Sequence, residues 1–300
     1  YSYFASPCRF WIFVQKEWRL INVIHFTLGS VDPESKNGIN KVIEGLSSSA
    51  NKIPGFRAHV LTVRKKMHRP GIRVIERDGF NVTTCSSIFI ALSWLWSNSK
   101  TFDVVHLHNV WSVNNVFVAL VCQMIEKPYY ITPHAGFIAD RVSQKRLRKK
   151  IFHFFLQRMI LNRAAGITAG VREEVTSIAQ YTENPNIFFV PNGVEVPADP
   201  STSQYVEARS SKPCVVMGYI GRISREKNIK GLLHAVSLLE IDIRRKLEIR
   251  LFGPSSGRYF RECDVMVREL GLENVVKFAG AVSSSQKWKE LRALDVYIQP

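Results

Sequence analysis

The sequence is short of acid, of paired cysteines and of long apolar runs. Its 25 Asp and Glu stand against 41 Lys and Arg, a formal net charge of +16. Such a surface draws anionic partners: nucleic acid, acidic lipid or phosphorylated substrates. The five cysteines, Cys8, Cys85, Cys122, Cys214 and Cys263, are scattered and form no Cys-x-x-Cys pair. That argues against a disulfide framework and a zinc knuckle and fits a reducing compartment. No apolar stretch reaches the roughly 20 residues that span a bilayer; residues 87–96 come nearest. No short-period repeat occurs. No basic and aromatic stacking strip or nucleic-acid motif accompanies the charge, so nucleic acid is not an expected partner. The opening "YSYFASPCRFWIFVQKEWRL" lacks Met and does not read as a signal peptide, so residues 1–20 are set apart as an N-terminal extension.

What is present is alternation. A chain of 300 residues, 46% apolar and 22% charged, has the size of two globular domains. Short β-branched runs alternate with helical patterns, as in parallel sheets built from βαβ units. Strands are expected at 21–27, 58–63, 72–76, 104–108, 129–132, 166–169 and 187–190. Helices are expected at 38–52, 87–98, 113–126, 142–162 and 171–180. The pattern lapses after Pro191-Asn192-Gly193 and restarts with strands at 215–220, 247–253, 275–280 and 296–299 and helices at 230–239, 259–270 and 284–294. The expectation is an α/β protein of two doubly wound, Rossmann-like domains, 21–197 and 214–300, joined by a linker at 198–213.

The stretch "GYIGRISREKNIKGLLHA" (218–235) concentrates charge between a strand and a helix. Backbone N–H groups at the C-terminal end of a parallel strand face the crevice where ligands bind. Arg222 and Lys227 add a forked guanidinium and a mobile ammonium, which together suit a diphosphate. A solvated turn in which Glu226 pairs locally is the plainer reading.

This stretch resembles the donor-diphosphate motif of the GT-B glycosyltransferases of family 4. "DVVHLHNVW" (103–111), "KPYYITPHAGF" (127–137), "VPNGVEV" (190–196), "IRLFG" (249–253), "VVKFAGAV" (275–282) and "LDVYIQP" (294–300) follow in that family's order. The resemblance implies the GT-B fold and transfer from a nucleotide diphosphate sugar to a glycan or lipid-linked acceptor, with retention. It assigns Arg222 and Lys227 to the donor diphosphate, with Gly221 at the turn. Gly253 and the 280–282 loop, including Val282, would border base and ribose, and Gly38 would let the first domain's backbone approach the diphosphate. His134 would stand beside the transferred sugar, although Ala135 replaces the family's usual glycine after it.

Two fixed cations also account for the lack of an Asp-x-Asp pair, so no metal cofactor is expected. His106 and His108 share one face of a strand, and His134 could complete a metal site. No acidic cluster accompanies them. The reading adopted puts His108, Asn109 and Trp111 on the acceptor side and makes His106 structural. Segment 141–163 gathers Arg141, Lys145, Arg146, Arg148, Lys149 and Lys150 ahead of Ile151, Phe154 and Phe155. It reads first as a helix with a solvated basic end, and second as a contact with anionic membrane on the cytoplasmic side. The family's Glu-x7-Glu would follow Pro300, so the given residues are expected to be an inactive fragment of a longer enzyme. Competing readings are a GT-B nucleotide-sugar epimerase and a basic nucleic-acid or membrane-binding module.

Overall fold

A computed structural model describes residues 20–29, 38–64, 70–77, 79–137, 150–194 and 214–300. The chain divides into two compact units, Tyr1–Glu195 and Val196–Pro300. In the first, the strands are β1 (Ile21–Leu28), β2 (Phe56–Val63), β3 (Ile72–Arg77), β4 (Phe80–Cys85), β5 (Val104–His108), β6 (Tyr129–Thr132), β7 (Gly166–Ala169) and β8 (Ile187–Phe189). Its helices are α1 (Gly38–Ala50), α2 (Ile88–Ser97), α3 (Val113–Met124), α4 (Arg158–Asn162) and α5 (Arg172–Ala179). The sheet order is β3-β4-β2-β1-β5-β6-β7-β8. Among the described residues, only the edge pair β3–β4 is antiparallel.

Alternation along the strands divides this sheet into two chemically distinct faces. Ile24 and Phe26, Val105 and Leu107, Tyr129 and Ile131, and Ile167 and Ala169 enter one apolar core with Ala91, Val116 and Ile160 from the helices. The side chains between them on the same strands, including His25, Thr27, His106, His108, Thr132 and Thr168, therefore point the other way. His25 is in register with His106, and His108 with Thr132. The result is a polar layer beneath the C-terminal ends of the central strands.

The second unit contains β9 (Val215–Ile220), α6 (Ile229–Ser237), α7 (Ile241–Arg244), β10 (Leu247–Phe252), α8 (Arg258–Glu269), β11 (Val276–Gly280), α9 (Ser284–Arg292) and β12 (Val296–Tyr297). Its parallel sheet runs β11-β10-β9-β12. One face packs Ile249 and Leu251 against Leu233, Cys263 and Val267. The other packs Val216 and Phe252 against Leu294.

Three features depart from the expected elements. β4, in "FNVTTC", was not expected because Asn81, Thr83 and Thr84 dilute its apolar period, yet Thr83 is fully buried. The turn of helix α7 was also missed. The basic helix, described from Lys150 onward, widens into a π-helical turn at His153–Gln157 before α4. Its expected start and most of its basic cluster lie outside the described residues.

Candidate functional site

In the second unit, three glycine-containing strand ends meet. Gly221 donates its N–H to Phe252 O at 2.9 Å, and Gly253 donates to Gly280 O at 2.7 Å. A Cβ on Gly253 would come 2.2 Å from Gly221 O, and one on Gly221 would come 2.4 Å from Tyr219 Oη. Only glycine lets these backbones approach so closely. Buried Tyr219 fixes the turn by donating its hydroxyl hydrogen to Arg222 O at 2.8 Å. The chain then makes a 3-10 turn at Arg225–Lys227 and passes through left-handed Asn228 (φ 46°) into α6.

Arg222 and Lys227 are thus carried on a short segment anchored at both ends. The Arg222 guanidinium lies 3.2 Å from Glu226, with 56% of its side chain exposed. This is the local pairing of the plainer reading. An exposed pair of this kind contributes about 0–1 kcal/mol, so it leaves the guanidinium available to a doubly charged anion. Val282 packs beside Ile220 against the Val216–Phe252–Leu294 cluster. Its side chain therefore supports the loop from the apolar side.

In the first unit, the loops after β5 and β6 hold four non-glycine residues at positive φ: Asn109 (75°), Trp111 (61°), His134 (52°) and Ala135 (62°). Such strain persists only where surrounding contacts impose it, and those contacts can be named. Asn109 N–H donates to Thr132 O. Asn115 Nδ2 donates to the carbonyls of His108 and Asn109. Trp111 donates Nε1–H to Gly136 O at 2.8 Å and its backbone N–H to Gln157 Oε1 at 3.0 Å. The Trp111 ring packs among Phe137, Phe152, His153 and Tyr181. Trp111 thus ties the two loops to the π-helical turn.

Sequence reading missed Glu174 on α5. It is 1% exposed, and its Oε2 accepts the N–H of Gly170 at 3.3 Å. The amides of Ala135 and Gly136 lie near the same carboxylate, while its Oε1 accepts no hydrogen bond among the described residues and the Gly136 N–H goes to Pro133 O at 3.2 Å. Burial raises its pKa, and these three amides oppose the rise. The carboxylate therefore braces the turn at Gly170 and lies beside the loop that carries His134. Left-handed Ala135 also explains why glycine would be favoured there: an L-residue in that region costs roughly 1–2 kcal/mol.

His134 is partly buried, and its Nε2 is 2.9 Å from His108 Nδ1. His108 Nε2 is in turn 3.0 Å from His25 Nδ1. His106 Nε2 meets Thr132 Oγ1 at 2.6 Å. Burial pushes the pKa of His25 and of His134 down to about 4. Burial, with repulsion from the neighbouring imidazoles, holds His106 and His108 well below the usual range. At neutral pH the whole cluster is uncharged. His108 is 2% exposed, so it acts on its surroundings through His134. Nothing in the sequence singled out His25, which reaches the cluster only through strand pairing.

Gly38 is the first residue of α1, and the loop before it lies outside the described residues. A cavity of about 340 Å³ lined by Asn22, His59, Asn81 and Trp94 sits at the opposite, N-terminal ends of β1, β2 and β4, away from these groups.

The family model described as Glycosyltransferase Family 4 matches residues 36–196, more than half the chain. The chain belongs to glycosyltransferase family 4. The model described as Glycosyl transferases group 1 matches residues 206–300. No curated protein matches the sequence. Among solved structures, HepE of Anabaena in complex with UDP and glucose superposes with a TM-score of 0.65 at 16% identity, over 92% of this chain and 73% of that one. Sucrose-phosphate synthase of Thermosynechococcus elongatus superposes with 0.68 at 14%, over 93% and 75%. The lipopolysaccharide outer core galactosyltransferase WaaB, in its apo form, gives 0.58 at 17%, over 92% and 73%. At these identities the structures speak to fold, and the fold of this family 4 chain is GT-B: two Rossmann-like units, the second shorter. Family 4 membership makes the chain a glycosyltransferase.

Proposed function

We propose that the chain transfers a sugar from a nucleotide diphosphate sugar to a glycan or lipid-linked acceptor, with retention at the anomeric carbon. The observation that carries this is the loop after β9, where the Gly221–Gly253 contact fixes the backbone that presents Arg222 and Lys227. In the step, the bond between the anomeric carbon and the diphosphate oxygen breaks, and the acceptor oxygen bonds to that carbon on the same face. The acceptor proton passes to the leaving phosphate oxygen. Arg222 and Lys227 offset the charge that grows on the diphosphate, so the reading needs no metal. His134, neutral at physiological pH, offers its ring to a hydroxyl of the sugar. HepE has been solved with UDP-glucose, which makes UDP sugars the first donors to try. Saturation-transfer NMR with a panel of nucleotide sugars tests the reading. Binding that requires both the diphosphate and Arg222 supports it, and a panel with no binder defeats it.

We further infer that the acceptor is met at an anionic membrane surface on the cytoplasmic side. Phe154 and Phe155 are 71% and 67% exposed, edge to face with one another, directly after the basic run of the sequence. No helix among the described residues is long and apolar enough to cross a membrane.

A further inference from the structure

The proposed reaction uses only His134 from the polar layer of the first sheet, yet His134 is the end of a line. His25, His108 and His134 are joined by hydrogen bonds of 3.0 and 2.9 Å, from Nδ1 to Nε2 at each step. A metal is the first alternative for such a group, because ligand atoms of His25, His106 and His108 lie within 4.8 Å of one another. Each of these rings already commits a nitrogen to a neighbour. The group also includes no carboxylate to balance a buried dication. The hydrogen bonds lead elsewhere.

We propose that His25 and His108 are positioning residues that fix the tautomer of His134. This deepens, and rests on, the reading of His134 as the residue beside the transferred sugar. A neutral imidazole has one N–H and one lone pair, and each hydrogen bond in the line holds one proton. If His108 donates from Nδ1 to His134 Nε2, its own Nε2 must accept from His25 Nδ1. His134 then carries its hydrogen on Nδ1. If His134 instead donates from Nε2, His108 accepts at Nδ1 and donates from Nε2 to His25 Nδ1. The remaining Nδ1 of His134 is then a bare acceptor.

All three rings are Nδ1–H in one arrangement and all three are Nε2–H in the other. A mixed set puts two hydrogens or two lone pairs face to face, at 5% exposure for His25 and 2% for His108, where water cannot relieve the conflict. The low basicity of the rings keeps a second proton out of the line. In each arrangement His134 meets a hydroxyl with one polarity, donor or acceptor, locked to that of the buried rings. A free imidazole would present either.

Two-bond proton–nitrogen correlation spectra of the histidine-labelled chain, taken near pH 7.5 where unperturbed imidazole is mostly neutral, read the tautomers directly. The expected result is a single, shared tautomer for His25, His108 and His134. Opposite tautomers at His25 and His134, or exchange-averaged shifts at either, overturn the proposal. In His25→Phe the far bond is lost and His134 should drift to a tautomer mixture. In His25→Asn, whose amide can occupy the place of Nδ1, a single tautomer should return. A folded His25→Phe protein with His134 unchanged also overturns it. Should His25→Phe not fold, the wild-type pattern and the Asn variant decide the matter alone. No nucleotide sugar enters these measurements, so failure to bind a donor bears on the proposed reaction and not on the relay.

Discussion

A Cβ on Gly253 would stand 2.2 Å from the carbonyl oxygen of Gly221, so two strand ends in the second unit touch through backbone alone. Gly253→Ala must push β9 and β10 apart just where Arg222 is presented. Overpacking of this kind costs about 1–3 kcal/mol. Urea unfolding should show that loss, together with weaker nucleoside diphosphate binding. A Gly253→Ala protein with wild-type stability and affinity would show that the contact is not rigid.

The buried imidazoles make the first unit sensitive to acid. His25, His59 and His134 have pKa values pushed from 6.5 to about 4 by burial, and His106 and His108 lie lower than usual as well. The unfolded chain therefore binds more protons than the folded one below pH 6.5. Stability is complete above that pH and falls as pH drops towards 4, by about 1.4 kcal/mol per histidine for each unit of separation. Unfolding midpoints measured from pH 7 downward should fall steeply over that window. A flat profile would contradict the burial of the cluster.

Glu174 should matter more than a helix-surface glutamate. Glu174→Gln keeps the shape but weakens the charge-assisted bond from Gly170 N–H, a loss of about 1 kcal/mol at neutral pH. Burial raises the pKa of Glu174 above its unfolded value, so the folded chain takes up the proton first, wild type gains stability relative to the Gln variant as pH falls, and the gap between the two proteins should widen. Chemical denaturation at two pH values checks this. A gap that narrows on acidification would be the wrong sign.

Membrane contact can be read by co-sedimentation with vesicles. The chain should sediment with phosphatidylserine-containing vesicles and not with pure phosphatidylcholine, and Phe154→Ser with Phe155→Ser should weaken that several-fold. Equal sedimentation of wild type and double variant would remove the two rings from the account.

Four interior strands were legible in the sequence to the residue, and β1, β2 and β10 to within two. Val104–His108, Tyr129–Thr132, Gly166–Ala169 and Val215–Ile220 stand where the β-branched runs placed them. The edge pair was half legible, because β4 mixes Asn and Thr into its period and β3 pairs with it in the opposite direction. The charged loop at 222–227 was visible as a local pattern. His25 and Glu174 were not: His25 reaches His134 through His108 on another strand, Glu174 comes beside the His134 loop from a helix, and no local period records such meetings. The π-helical turn was hidden for a similar reason. Gln157, 1% exposed, faces inward there to accept from Trp111 N–H, a demand set by a loop far away in sequence.

The central claim is that Arg222 and Lys227 hold the donor diphosphate. Titration calorimetry with UDP, GDP and ADP, each beside its monophosphate, tests it most directly. The account predicts one diphosphate bound at least tenfold more tightly than its monophosphate. It also predicts a further loss of about ten- to a hundredfold in Arg222→Ala and in Lys227→Ala, the range for hydrogen bonds to charged groups. A diphosphate bound equally well by wild type and both variants, or no preference for diphosphate over monophosphate, would contradict it.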